Sequence, residues 1–289
     1  MQRTIALFFS LIISFSALAE PLYWQASKGK LNYLILGSMH VGDDSMHPLP
    51  SNITTYLKHS DGLIVETDIR NNSDVTYPRS QLTSQDVLSP KQQKELSGIA
   101  SLLELNSAQL LQSPPWATAL AVQMKQFDYL GYQADKGIDI WLLNQASALN
   151  KPVLSLETLQ FQIDLIATQE NDGEELLISM IDEFDYSEDV THCLVESWKK
   201  GDADKLSKVA KMVEMSPEFE RALITDRNRD WATKLTEQKL LPKKNGNYLV
   251  VVGALHLVGE QNLIALLKQN GFKVTQRSKS QAAKCDFKL

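Results

Sequence analysis

Tyr33-Leu34-Ile35-Leu36-Gly37-Ser38-Met39-His40-Val41-Gly42 is an apolar run that ends on a glycine, with a histidine three residues further on. Near the other end of the chain the pattern returns as Tyr248-Leu249-Val250-Val251-Val252-Gly253-Ala254-Leu255-His256. A short, continuously apolar run reads as a strand buried on both faces, as in a parallel sheet. Glycine at its end lets the backbone turn or come close to another group. Each histidine then falls just past the carboxyl end of a strand, where open α/β sheets bind ligands. One such histidine is commonly satisfied structure. Two copies almost a chain length apart point to adjacent strands that offer two imidazoles to one crevice.

The neighbouring segments extend this reading. Gly62-Leu63-Ile64-Val65-Glu66 is a second short strand that closes on a carboxylate, and Val153-Leu154-Ser155-Leu156-Glu157 is a third, expected to be buried. Glu66 at such an edge is open between a site role and a surface role. Leu22 to Gln25 and Asn32 to Leu36 flank Ser27-Lys28-Gly29-Lys30, a hairpin signal. His47, seven residues after His40, reads as a loop residue beside Pro48 rather than a second ligand. Helical spacing marks residues 53–59, 91–111 and 158–214, and prolines open a helix at Ser113-Pro114-Pro115. Gly137-Ile138-Asp139 opens another helix, where Asp139 is expected to complement the helix dipole. Ser216-Pro217 caps a helix whose stripe is Phe219, Leu223, Arg227, Trp231 and Leu235. Arg227 thus lies on an apolar face and needs an acid or an anion, because a buried guanidinium is costly unless paired. Arg229, two residues on, is expected in solvent. The fold expected is α/β: a central, largely parallel sheet with helices and a helical insertion at about 85–225. Its carboxyl edge would gather His40, Glu66, Glu157 and His256, with Arg227 reaching in.

Composition narrows the function classes. The chain has 289 residues, 43% of them hydrophobic, enough for a real core. With 29 basic and 35 acidic residues and no basic stripe, nucleic acid is not an expected partner. Residues 1–19 combine Arg3, an apolar stretch from Ile5 to Phe15 and Ala17-Leu18-Ala19, which is a secretory signal peptide; the other reading is an N-terminal membrane anchor. The mature chain, residues 20–289, is expected to be one domain, exported to the periplasm or secreted, without a stable membrane span. Cys193 and Cys285 permit a disulfide in such a compartment, the alternative being two separate thiols.

In order along the chain stand Gly37 to His40, Glu66, Gly137-Ile138-Asp139, Leu156-Glu157, Asp226-Arg227-Asn228 and Gly253 to His256. This order resembles the TraB/GumN, or Tiki-type, family, over about residues 22–274. The resemblance implies a fold shared with erythromycin-esterase-like and ChaN-like proteins. It implies a site of two histidines, a glutamate and an arginine, carried here to His40, Glu66, Arg227 and His256. For Tiki members it also implies divalent-metal-dependent proteolysis. Two functional expectations follow. One is a metal-dependent hydrolase of a peptide or small-molecule substrate, with His40, Glu66 and His256 on Zn²⁺, Mn²⁺ or Co²⁺ and a place left for water. In it Arg227 and Glu157 bind substrate or stabilise the oxyanion; a metal-free form would use a histidine as general base. The other is a non-enzymatic binding protein for haem, metal or peptide. No H-E-x-x-H and no G-x-S-x-G is present, so neither a zincin nor a serine hydrolase of the α/β type is expected.

Overall fold

The computed structural model describes residues 20–70, 75–211 and 216–287; the segment read as a signal peptide, 1–19, lies outside them. Six strands form one sheet in the order β4-β3-β5-β2-β1-β6: β1 Tyr23–Lys28, β2 Leu31–Ser38, β3 Gly62–Val65, β4 Val153–Ser155, β5 Asn247–Gly253 and β6 Lys273–Gln276. The central strands β4, β3, β5 and β2 run parallel, and β1 is antiparallel to both β2 and β6. The expected α/β class and largely parallel sheet are therefore what the chain forms. β2 and β5 are buried along nearly their whole length, with Tyr33, Ile35, Leu36, Tyr248, Leu249, Val250, Val251 and Val252 all fully or almost fully buried. Helices cover both faces, which is why these strands read as unbroken apolar runs instead of alternating ones. The hairpin turns at Gly29, whose φ of +62° suits a residue without Cβ.

The third strand departs from expectation. β4 sits at the sheet edge and is half-buried, with Ser155 exposed, instead of lying inside the sheet. Leu156, the next residue, is the buried one.

Helices fill the sequence between β3 and β4 and between β4 and β5. They include Pro90–Leu102, Pro115–Tyr129, Ile138–Ala148, Leu159–Ala167, Glu174–Asp182 and Ser187–Lys200. Leu96, Ile99, Leu110, Val122 and Leu177 build an apolar cluster of their own, apart from the core against the sheet. Ser216 does cap its helix, accepting from the Phe219 N–H at 3.3 Å. The helix Pro217–Glu220 passes through a π-helical segment, Arg221–Thr225, into the helix Asp226–Glu237. Cys193 and Cys285 are joined by a disulfide that ties the C-terminal tail to the helix Ser187–Lys200. Among the described residues no helix is long and apolar enough to cross a membrane.

Candidate functional site

Strand register makes the two G-x-x-H copies unequal. Ser38 pairs with Gly253, so Gly37 lies level with Val252 and the motifs are offset by one residue. After Gly253 the chain turns at once into a 3-10 helix, Ala254–Leu257, which carries His256 inward to 5% exposure. After Ser38 the chain forms no helix but bends at His40 and Val41, and His40 keeps 70% of its side chain open to solvent. The glycines permit close approach. A Cβ on Gly37 would stand 3.1 Å from the Ala254 Cα, and one on Gly253 would stand 3.3 Å from a Glu66 oxygen. The Gly37 carbonyl accepts from Trp198 Nε1 at 2.8 Å, and the Gly253 N–H donates to Glu66 Oε1 at 2.6 Å.

Around His256 the polar groups satisfy one another. Arg227 Nη2 donates to Glu66 Oε2 at 2.6 Å and to Glu157 Oε1 at 2.7 Å; Nε donates to Glu157 Oε2 at 3.2 Å. Nη1 donates to the Leu223 carbonyl at 3.0 Å and meets His256 Nε2 at 3.2 Å. A guanidinium has five N–H groups, and all of them are used inside the protein. Glu157 also accepts from Trp231 Nε1 at 2.9 Å and Gln162 Nε2 at 2.8 Å, and Gln162 reaches Glu66 Oε2 at 3.3 Å. His256 Nδ1 lies 2.8 Å from Asn228 Oδ1. An amide oxygen only accepts, so the ring is protonated at Nδ1 and its bare Nε2 receives the Arg227 proton. The Trp231 ring packs 4.5 Å from the His256 ring and 4.6 Å from the guanidinium carbon.

The electrostatics follow from this packing. Burial disfavours a charged His256 and pushes its pKa down to about 4, the Arg227 cation adding to the effect against the pull of Glu66. Burial alone would raise the Glu66 carboxyl, but His256, His40, Arg227 and the Gly253 N–H outweigh it and hold the pKa at about 2. At neutral pH His256 is uncharged, so the His40 imidazolium, the guanidinium and the Gly253 N–H supply that stabilisation. Arg227 is raised in turn: burial works against its charge, and Glu66 and Glu157 overcome it.

His40 belongs to a separate, open pair. Its Nδ1 is 2.9 Å from Asp139 Oδ2, while Asp139 Oδ1 accepts from Ser38 Oγ at 2.6 Å. Asp139 raises the His40 pKa to about 9, against a smaller opposing effect of desolvation, with Glu66 adding to the rise. Water around so exposed a ring screens the pair and moderates the shift. Asp139 therefore faces the end of β2, and the helix-dipole role expected from its position in the first turn is secondary. His47 is a loop residue, as expected, its Nε2 donating to the Lys136 carbonyl at 3.0 Å. Arg229 is exposed and bonds Asp226 and Gln261.

The sheet edge thus brings together Glu66, Glu157, Arg227 and His256 in one closed cluster, with His40 outside it but within reach of its field. Sequence reasoning missed Asp139, Gln162 and Asn228 as partners. Asp139 and Asn228 each left a signal, in the Gly137-Ile138-Asp139 and Asp226-Arg227-Asn228 blocks, while Gln162 left none. The metal set expected from the resemblance does not fit this arrangement. His40 has the oriented Nδ1 and open Nε2 of a ligand, but the lone pair of His256 Nε2 and the Oε2 oxygen of Glu66 hold the Arg227 guanidinium instead. Among the described residues, no group of three or more His, Cys, Asp or Glu side chains stands in metal-holding geometry.

A largely parallel α/β sheet with two G-x-x-H strand ends and a buried Glu–Arg–His cluster at one edge defines the class. The model of the TraB/PrgY/gumN family matches residues 22–276, and the chain belongs to that family. It is 29% identical over 242 residues to the uncharacterized protein YbaP of Escherichia coli (strain K12), covering 83% of this chain and 89% of that one. It is likewise 29% identical over 236 residues to the uncharacterized protein YbaP of Shigella flexneri, covering 81% and 87%. No solved structure matches.

Proposed function

We propose that the chain is an exported hydrolase of a peptide or related amide bond, with His40 as the group that moves the proton. One observation carries the reading: an imidazole at the carboxyl edge of a parallel sheet has Nδ1 held by a carboxylate at 2.9 Å while 70% of its side chain is open to solvent. In its neutral form His40 takes a proton from water at Nε2 as the water oxygen bonds to the carbonyl carbon. The imidazolium then gives that proton to the departing nitrogen as the carbon–nitrogen bond breaks, leaving an acid and an amine and restoring His40. The closed cluster forms the floor of this site and keeps the ends of β3, β4 and β5 in register. Arg227 and Glu157, with their polar atoms engaged, hold that floor and do not reach for substrate.

The test is turnover of a peptide, amide and ester library by mature protein, wild type and His40→Ala. Each is assayed with chelator and with added Zn²⁺, Mn²⁺ or Co²⁺. Turnover lost in His40→Ala and indifferent to chelator supports the reading. Turnover that vanishes with chelator and returns with metal overturns its metal-free form and means that Arg227 yields its partners to a cation. Binding of haem, metal or peptide without turnover favours the non-enzymatic alternative. Export is part of the proposal; intact mass of the exported protein should begin at Glu20, and retention of residues 1–19 counts against it.

A further inference from the structure

We propose that Asp139, braced by Ser38, is the positioning residue that sets the tautomer and aim of His40, an assignment that rests on the hydrolase reading for its kinetic part. A histidine with 70% of its side chain in solvent has freedom to rotate, and a loop position gives it little packing to resist that. Here the ring is fixed from one side. Asp139 offers Oδ2 to His40 Nδ1 at 2.9 Å and Oδ1 to Ser38 Oγ at 2.6 Å, so each carboxylate oxygen has its own partner and the carboxylate cannot swing. Ser38 is 2% exposed, which makes its hydroxyl a brace and not a nucleophile.

The backbone behind Asp139 is equally fixed. The Ile138 N–H donates to the Met39 carbonyl at 2.9 Å. Gly137 lies so close that a Cβ would stand 2.3 Å from the His40 carbonyl oxygen. Gly42 forms a bridge with Gln133, and His47 bonds Lys136. The start of the helix Ile138–Ala148 is thus stapled to the segment 38–47 at several points, and the carboxylate is carried on the stapled turn. A helix-dipole role alone would leave the carboxylate over its own helix, yet the N-terminus of this helix has no side-chain cap. A carboxylate accepts only, so the neutral ring must carry its proton on Nδ1 and present a bare Nε2 to the open side. That is the form a base needs, and it is the minority form of a free imidazole.

The experiment reads the tautomer directly. Nitrogen-15 correlation spectra of His40, assigned by the signal lost in His40→Gln, are recorded above the pKa of about 9 so that the ring is neutral. Wild type is expected to show Nδ1–H with unprotonated Nε2. Asp139→Ala is expected to relax toward the Nε2–H form, with kcat down about a hundredfold and KM nearly unchanged. Ser38→Ala keeps the carboxylate but removes its second bond; it should give a mixture of tautomers and a smaller loss of kcat, and it serves if Asp139→Ala does not fold. A ring that stays Nδ1–H in the variants overturns the proposal, as does a fall in kcat with the tautomer unmoved. Should wild type turn over no substrate, the hydrolase reading fails, and the tautomer still decides whether Asp139 positions His40.

Discussion

At the scale of single residues, the two arginines two positions apart separate cleanly. Arg227 gives all five N–H groups to buried partners, while Arg229 is exposed. Arg227→Ala leaves Glu66 and Glu157 buried without their cation and is expected to cost about 3–5 kcal/mol in urea unfolding. Arg227→Lys should recover little, since a point charge cannot replace a planar fork of donors. Arg229→Ala should change stability by no more than about 0.5 kcal/mol; the reverse order would mean that the helix is phased wrongly. His256 gives a second expectation. Its folded pKa lies near 4, below the ordinary 6.5, so the unfolded chain binds a proton in that interval which the native protein refuses. Its share of the stability is complete above about 6.5 and is lost as pH falls toward 4, about 3 kcal/mol in all. The Glu66 share is lost lower, between its ordinary 4.5 and about 2, and the His40 share changes only between 6.5 and about 9, where it is lost as pH rises. Urea midpoints measured from pH 7 to pH 4 should therefore slope in wild type and flatten in His256→Gln. An equal slope in both would remove His256 from the account.

At the scale of elements, a single methyl group tests the staple between the helix Ile138–Ala148 and the end of β2. Gly137→Ala places a carbon 2.3 Å from a backbone oxygen that has nowhere to go, so one of the two segments must shift. The expected cost is about 1–3 kcal/mol in thermal or urea unfolding, with His40 losing its bond to Asp139; an unchanged midpoint would mean that the turn is loose. The same elements show what was legible in the sequence. β2, β3 and β5 announced themselves because strands buried on both faces are apolar at every position, and their ends were marked by His40, Glu66 and His256. The phase of Arg227 was legible because a helix repeats, and Ser216 because caps have their own chemistry. β4 misled, since Val153 and Leu154 are apolar but nothing in three residues says whether a strand is central or at an edge. The pairings of Asp139, Gln162 and Asn228 stayed hidden for a different reason. Asp139 meets His40 across 99 positions, Gln162 reaches Glu66 across 96 and Asn228 meets His256 across 28, and no periodicity connects a carboxylate at a helix start with a histidine past a strand. The offset of one residue between β2 and β5 was equally invisible, and it is what turns two similar motifs into one open and one closed histidine.

At the scale of the whole molecule, one covalent link spans 92 positions and anchors the tail to the helix that holds the Gly37 carbonyl through Trp198. Chain-entropy reasoning for a loop of this length gives about 4–5 kcal/mol from the disulfide. The double change Cys193→Ala with Cys285→Ala should lower the urea midpoint accordingly, and reduction of wild type should do the same; no shift in either would mean that the bond is not formed in the folded protein. The tail brings a second consequence. The Glu20 N–H donates to the Lys279 carbonyl at 3.1 Å, and both Glu20 and Ser280 lie against Gly201. The first and last described segments are therefore next-door neighbours, joined in space though not in sequence. Which residue comes first is then an accident of the gene and not a requirement of the sheet. A circular permutant, closed by a short linker across this seam and reopened at the exposed Lys244-Asn245 turn, keeps every strand pairing and both histidines, and places the two G-x-x-H motifs on either side of the old seam in one continuous stretch of chain.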